Sequence, residues 1–380
     1  MVRVGVKPEL LKWAIDRSGL DRAALSRKFP QLDSWLAESS SPTLKQLGNF
    51  ANTVHAPVGY LFLPTPPVET LPIADLRTVG SGGVRRPSPD LLDVIHACQR
   101  RQDWYRDYAE QAGEPIREFV GTASPGSDSV EVAGRMQRTL GFGVGERRDC
   151  ADHEEAFRRF VSKAEAAGVL VMVSGIVGQN TSRKLDPKEF RGFALADRLA
   201  PLVFVNGTDS KSAKMFTLAH ELAHLWLGES ALSDAALKTS RSASRTESWC
   251  NEVAAEFLVP LRELENLAFG DPVAHLRVVA HDFKVSTLVV LRRLLDAGII
   301  DRERFRVCYA EEVRRIKAAK PAQGGSNSYA TLKRRLGDRF TRAVVESTLA
   351  GETLYSDAFR LLGIGGSKVF DGLGKNLGLV

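Results

Sequence analysis

The sequence lacks the paired cysteines and the long apolar runs that are typical of secreted and membrane-spanning proteins. Its four cysteines lie far apart along 380 residues and form no CxxC pair, which is untypical of a disulfide framework. The longest apolar runs, such as residues 288–291, are far shorter than the ~20 residues of a membrane helix. Residues 1–9 have no apolar signal core. The sequence therefore predicts a cytoplasmic protein with reduced thiols and no membrane contact.

Histidine is scarce, and the excess of positive charge is modest. The chain has 7 histidines and a formal net charge of +6. Such an excess permits contact with nucleic acid but does not require it. Hydrophobic residues make up 43% and charged residues 26%, a balance that excludes disorder over most of the length. Two of the few histidines, His220 and His224, lie four residues apart, and the functional prediction depends mainly on this pair.

The predicted fold class is α+β, mostly helical, with a small β-sheet beside the helix that carries the histidine pair. Apolar runs rich in β-branched residues predict strands at 169–173, 190–196 and 202–205, whereas three-to-four spacing of apolar residues predicts helices elsewhere. Four parts follow from this pattern: a helix-turn-helix-like bundle at 1–63, a Pro- and Gly-rich linker at 64–89, a main domain at 90–321 with a second helix-turn-helix-like segment near 272–300, and a helical tail at 322–380.

The first bundle has little of the chemistry that DNA binding requires. Its predicted recognition helix, residues 32–38, contains no Arg or Lys and is mildly acidic. Phosphate neutralisation supplies most of the strength of DNA binding, and base contacts favour Arg, Lys, Asn and Gln. DNA therefore remains a weakly supported partner.

The histidine pair belongs to an HExxH motif on an apolar helix. Positions i and i+4 share one face of a helix, so His220 and His224 can reach one metal ion. Zinc accepts such ligands and keeps one position open in catalytic sites. Glu221, next to the first histidine, can act as a general base. A polar motif in an apolar helix is costly unless a metal or another partner compensates it.

A third ligand is predicted on the next helix, as in gluzincin-type enzymes. Glu247 follows His224 by 23 residues, which leaves room for a loop and a returning helix. Asn251 lies one turn further on the same face and can orient an imidazole by accepting its second N–H. Glu252 and Glu256 compete with Glu247 for the ligand role, although they face other directions on the helix.

The segments HELAHLWLG (220–228) and ESWCNEVAAEFLVP (247–260) resemble the ImmA/IrrE family of zinc metallopeptidases. The resemblance covers about residues 10–310, including an N-terminal part similar to longer members that carry an Xre-type helix-turn-helix. It implies zinc as the cofactor, His220, His224 and Glu247 as ligands, and Glu221 as general base. Asn251 matches the position that supports the ligands, and the sequence departs from the family pattern at Cys250, where alanine is common.

The resemblance also implies a substrate class. Relatives cleave repressor-like regulators, so the expected substrate is a regulatory protein, either this chain itself or the product of a neighbouring gene, in stress response or mobile-element control. The strand at 190–196 is expected to hold the substrate by edge-to-edge pairing. His275, His281, Tyr309 and Tyr329 are candidate donors to the oxyanion. Two other functions stay open: a DNA-binding transcriptional regulator with a non-catalytic metal site, and an antitoxin-like partner held by the tail.

Overall fold

A computed structural model of the chain describes residues 2–75, 87–233, 245–265, 271, 273–318 and 328–380. The chain divides into two compact units, of which the first comprises 1–72 and 82–96 and the second 73–81 and 97–380. No helix among these described residues has the length and apolar character of a membrane span. All four cysteines are free thiols.

The first unit consists of short helices around their own apolar core. They are α1 (Pro8–Ser18), α2 (Arg22–Lys28), α3 (Leu32–Leu36), α4 (Leu44–Thr53) and a 3₁₀ helix at Val58–Phe62. Asp21 begins α2 by accepting a hydrogen bond from the Ala24 N–H. A capping box of Thr43 and Gln46 begins α4. These helices agree with the sequence pattern, except that α3 ends at Leu36, before the predicted residue 38. That the bundle acts as a helix-turn-helix remains a prediction.

The second unit contains a five-stranded mixed sheet. Its strands in the order of the sheet are β1 (Ala74–Asp75), β7 (Ala231–Ser233), β5 (Gly192–Leu195), β6 (Leu202–Asn206) and β2 (Leu170–Ser174). β2 runs parallel to β6, β1 runs parallel to β7, and β5 is antiparallel to both of its neighbours. Every residue of β2, β5 and β6 is buried, which explains why these strands read as continuous apolar runs. A separate hairpin pairs β3 (Ile176–Val177) with β4 (Asn180–Lys184).

Helices make up the rest of the structure, and α5 (Pro89–Gln111) has residues in both units. The other helices all lie in the second unit: α6 (Ser129–Leu140), α7 (Val144–Arg148), α8 (His153–Ala166), α9 (Lys211–Leu227), α10 (Arg245–Leu258), α11 (Leu261–Glu265), α12 (Leu276–Asp282), α13 (Thr287–Asp296), α14 (Arg302–Ala318), α15 (Ser328–Leu336), α16 (Asp338–Leu349), α17 (Tyr355–Leu362) and α18 (Ser367–Leu377). The protein is thus mostly helical with a small sheet, which confirms the predicted α+β class.

The central helix α9 packs on the sheet and against α10. It contacts β5 and β6 on one side, while α10 contacts both α9 and α6. The Ser210 side chain accepts a hydrogen bond from the Ala213 N–H and so begins α9, which ends at Gly228. Residues 215–226 of α9 are all buried. The HExxH motif therefore lies inside the core of the second unit.

Two expectations differ from the structure. The predicted linker at 64–89 includes Ala74–Asp75, which is strand β1 and pairs with β7, so this part of it belongs to the sheet. The predicted strand at 190–196 was expected to offer a free edge, but β5 pairs with β6 on one side and with β7 on the other. The edge-pairing expectation is therefore wrong. The flexible break predicted at 322–328 lies almost entirely outside the described residues.

Candidate metal centre

Helix α9 presents both histidines on one face. His220 and His224 are completely buried, and their ring centroids are 5.1 Å apart. The four-residue spacing places them one turn apart, so both Nε2 atoms face the same space beside α10. Within the described residues, His220 Nδ1, His220 Nε2 and His224 Nδ1 have no hydrogen-bond partner. Buried polar atoms of this kind are costly, and a metal ion would satisfy the Nε2 atoms.

Glu247 in the first turn of α10 completes the group. Its Oε1 lies 3.2 Å from His224 Nε2 and its Oε2 lies 3.5 Å from His220 Nε2. The ligand atoms of the three residues all lie within 4.8 Å of one another. Two ligand atoms bound at about 2.0–2.1 Å in a tetrahedron are separated by about 3.4 Å, which matches these spacings. Two imidazoles and one carboxylate therefore fit the ligand set and the dimensions of a catalytic zinc site.

The charges within the group favour the metal-binding protonation states of Glu247 and His224, whereas His220 would lose its proton when a metal binds. Burial alone would raise the pKa of Glu247, but the His220 and His224 imidazoles lower it to about 2. Burial lowers the pKa of His224 and favours its neutral ring. Burial acts in the same direction on His220, but the Glu247 carboxylate outweighs it and raises that pKa. An ionised carboxylate beside a neutral His224 is what a cation requires of its ligands.

The Glu221 carboxylate lies between helix α9 and strand β5. Glu221 is fully buried. A Cβ atom built on Gly192 would lie 2.9 Å from Glu221 Oε1, 2.8 Å from Thr217 Cγ2 and 2.8 Å from the Phe204 carbonyl oxygen. No real side chain tolerates such distances, so Gly192 makes room for the carboxylate. The sequence analysis did not single out Gly192, although a glycine inside an apolar strand is itself a signal of close backbone approach.

The other two carboxylates of α10 do not join the group. Glu256 pairs with the buried guanidinium of Arg293 and accepts a hydrogen bond from the Leu261 N–H at 3.3 Å. Glu252 is exposed. The structure therefore separates the three acidic side chains that the sequence had left in competition and brings only Glu247 to the histidines.

Asn251 and Cys250 lie close to the same group. The Asn251 side chain contributes to the raised pKa of His220, although Oδ1 makes no regular hydrogen bond with any described residue. The Cys250 thiol is buried, and burial together with Glu247 and Glu221 raises its pKa well above the usual value. Cys250 is not among the three residues whose ligand atoms lie together, and its buried thiol packs in the core of the second unit.

Three of the four candidate oxyanion donors make described contacts with residues other than the metal-ligand group, and the side chain of the fourth is not described. The His281 ring is 6.2 Å from that of His153, and His275 Nδ1 lies 3.1 Å from the Asp271 carbonyl oxygen. The Tyr309 ring lies 5.4 Å from that of Phe305. The side chain of Tyr329 lies outside the described residues. None of the three described donors is brought to the metal-ligand group by a described contact.

Two segments of the chain match models of known protein families. A peptidase family model, the IrrE N-terminal-like domain, matches residues 164–295. A domain of unknown function matches residues 336–376, which contain α16, α17 and most of α18. No curated protein and no solved structure matches the chain. The first match runs from the end of α8 into α13 and includes all five predicted site residues.

Proposed function

We propose that the chain is a zinc-dependent endopeptidase of the ImmA/IrrE type, because residues 164–295 match the IrrE N-terminal-like peptidase domain. The observation that carries the proposal is the buried group of His220, His224 and Glu247, whose spacing fits a tetrahedral ion. The neighbouring carboxylate of Glu221 supplies the acid–base group that hydrolysis needs. Four free cysteines support a cytoplasmic setting.

The proposed reaction divides the chemistry between the metal and one side chain. Zinc, when bound by His220, His224 and Glu247, would polarise the scissile carbonyl and acidify water. Glu221 takes a proton from the attacking water and passes it to the leaving amine. Its burial between α9 and β5 keeps this carboxylate in one position. Asn251 is suited to accept the second N–H of His220 and so to fix the orientation of that ring.

We propose a repressor-like regulatory protein as the substrate, either a second copy of this chain or the product of a neighbouring gene. The family resemblance supports this class, which would give the enzyme a role in stress response or mobile-element control. The two non-catalytic alternatives have less support. A purely structural metal site needs no buried carboxylate like Glu221, and helix α3, with five residues and no cation, offers little to DNA.

The test compares Glu221→Gln with the wild type. The neutral amide keeps the shape of the side chain but cannot accept the proton, so we expect hydrolysis to fall by at least about 10²–10⁴-fold. The zinc-loaded protein is incubated with a repressor-like regulator encoded by a neighbouring gene and, in a separate sample, without any other protein. New chain termini are then identified by mass spectrometry, and zinc is measured in each sample.

Glu252→Gln is the matched control, because it removes an exposed carboxylate from α10. We expect it to cleave at the wild-type rate, and we expect Glu221→Gln to retain zinc. Cleavage by Glu221→Gln at the wild-type rate would show that the general base is another group.

A further inference from the structure

A cavity lies at the N-terminal end of helix α9, away from the metal-ligand group. It has a volume of about 700 Å³ and opens beyond the carboxyl ends of the parallel strands β2 and β6. Residues of α8, β4, the first turn of α9, and α15 complete its walls. None of His220, Glu221, His224 and Glu247 lines it. We call this space the basic cavity, because six of its lining side chains are cationic: Arg158, Lys184, Lys211, Lys214, Arg334 and Arg335.

The positive charge of the basic cavity is poorly compensated from within the protein. Glu154 is its single acidic lining residue, and it pairs with Lys211. The other five cations have no ion-pair partner in the part of the chain that the structure describes. Helices α8, α9 and α15 and strand β4 bring these charges together from sites up to 177 residues apart, between Arg158 and Arg335. Like charges repel one another, so an anion bound among them would stabilise the arrangement.

Two glycines at the strand ends form part of the floor of the basic cavity. Gly175 follows β2 and Gly207 follows β6, and a Cβ on Gly207 would lie 2.9 Å from the Gly175 nitrogen. The two strand ends therefore pack closely, and the Thr208 side chain occupies the space next to Gly175. Ser210 begins α9 immediately afterwards, so the positive end of a 17-residue helix lies at the same edge of the sheet. The Gly207 and Thr208 N–H groups already donate to the Ser174 carbonyl oxygen and to Asn206 Oδ1, so this edge offers an anion the helix N-terminus, a feature that recurs at phosphate sites beyond parallel strands.

The environment of Lys214 also indicates that the basic cavity suits an anion. Its ammonium group lies 5.4 Å from the centre of the Phe157 ring. Burial, followed by the nearby charge of Arg334, lowers the pKa of Lys214. The nearby carboxylates of Glu154 and Asp209 offset this lowering only in part, and an anionic ligand would stabilise the partly buried ammonium group further.

We propose that the basic cavity binds a small phosphorylated molecule with a di- or triphosphate group. The size lies within the range of about 300–1,000 Å³ that is usual for small-molecule sites. Phe157, Val173 and Ile176 add an apolar wall that suits the organic part of such a ligand. A concave site of this kind favours a compact anion over the extended backbone of duplex DNA. The ligand would contact both the IrrE-like domain and α15.

The test is calorimetric titration of the full-length protein with inorganic pyrophosphate. We expect saturable binding that weakens as salt is added. The triple variant Arg158→Gln/Lys184→Gln/Arg334→Gln removes three exposed cations from the basic cavity and should weaken binding by roughly tenfold or more. Arg306→Gln/Lys368→Gln/Lys375→Gln is the matched control, since it removes three exposed cations from other surfaces with the same change in net charge. It should bind as the wild type does.

A titration of His220→Ala and a competition with duplex DNA separate the basic cavity from other anion sites. The variant His220→Ala should bind pyrophosphate with an unchanged affinity, because the basic cavity does not contain the metal ligands. Loss of binding in this variant would place the anion at the metal centre and overturn the proposal, without bearing on peptidase activity. Absence of binding at millimolar pyrophosphate, equal binding by the two triple variants, or competition by duplex DNA at a lower concentration than pyrophosphate would also overturn it.

Discussion

At the scale of single residues, Gly192 decides where the proposed general base can lie. Strand β5 passes so close to α9 that the Glu221 carboxylate occupies the space in which any other residue would have its Cβ. The constraint is independent of the metal ligands, because none of the three lies among the nearest atoms to that Cβ. Gly192 is therefore a positioning residue for Glu221.

Gly192→Ala should reduce peptidase activity while zinc content stays at the wild-type level. The added methyl group forces Glu221 or β5 to shift, and a displacement of about 1 Å can cost roughly 10²-fold in rate. The rate of cleavage is measured beside zinc content and thermal stability. Gly145→Ala is the control, since a Cβ at that helical position meets no atom within 4 Å and should leave activity unchanged. Equal activity of Gly192→Ala and wild type would contradict the positioning role.

Helix spacing made part of the site predictable at this scale. The separation of His220 and His224 predicted a shared face without any knowledge of packing. The choice of Glu247 over Glu252 and Glu256 was harder, because it depends on how α10 rotates against α9. In the structure Glu256 pairs with Arg293, a contact that is distant in sequence and that no local pattern encodes.

At the scale of elements, two arginines hold the end of α10. The guanidinium of Arg147 donates to the Phe257 and Leu258 carbonyl oxygens at 3.2 and 2.6 Å, and Arg293 Nε donates to the Val259 carbonyl oxygen at 2.9 Å. Burial lowers the pKa of Arg147 to about 9, so it remains protonated at neutral pH. Cations at this end of a helix satisfy its last carbonyls and its dipole. These contacts fix the helix that carries Glu247.

Arg147→Met should therefore destabilise the protein by about 1–3 kcal/mol, because the buried Leu258 carbonyl loses its side-chain donor and the Phe257 carbonyl keeps only the Gln137 amide. Arg148→Met is a neighbouring control. Arg148 is 40% exposed at its side chain and pairs with Glu263 and Asp282, and exposed pairs contribute about 0–1 kcal/mol. Denaturant unfolding of both variants measures the difference. Equal losses of stability in the two variants would argue against the role of Arg147.

Sequence patterns predicted the long elements far better than the short ones. The apolar helix predicted to carry HExxH is α9, and β2, β5 and β6 lie within or overlap the three predicted apolar runs. Strands β1, β3 and β7 have only two or three residues, too few for a periodic signal. The central place of β5 is a property of the strand order, and no pattern within residues 190–196 encodes it.

At the scale of the whole molecule, the C-terminal helices are joined to the peptidase domain by a buried carboxylate. Glu165 of α8 accepts a hydrogen bond at 3.2 Å from the N–H of Arg339, in the first turn of α16. Burial raises the pKa of Glu165 from its usual 4.5 to about 7. The folded protein thus binds this proton more tightly than the unfolded chain does.

Stability should consequently fall as pH rises from about 4.5 to about 7, where the folded state holds the proton and the unfolded chain has lost it. The proton on Glu165 contributes at most about 3 kcal/mol to the free energy of unfolding. Glu165→Gln should remove this component and should be more stable than wild type above pH 7. Glu110→Gln, which changes an exposed carboxyl on α5, should keep the wild-type pH profile in thermal unfolding. A Glu165→Gln profile parallel to that of wild type would refute the assignment.

The most direct measurement of the central claim is the metal content of the purified full-length protein. Elemental analysis should find about one zinc per chain in the wild type and nearly none in His220→Ala, because two remaining ligands bind zinc too weakly. His275→Ala removes a histidine that is exposed and distant in sequence from the site, and it should retain the metal. Equal zinc in wild type and His220→Ala would contradict the proposal that His220, His224 and Glu247 form the metal centre.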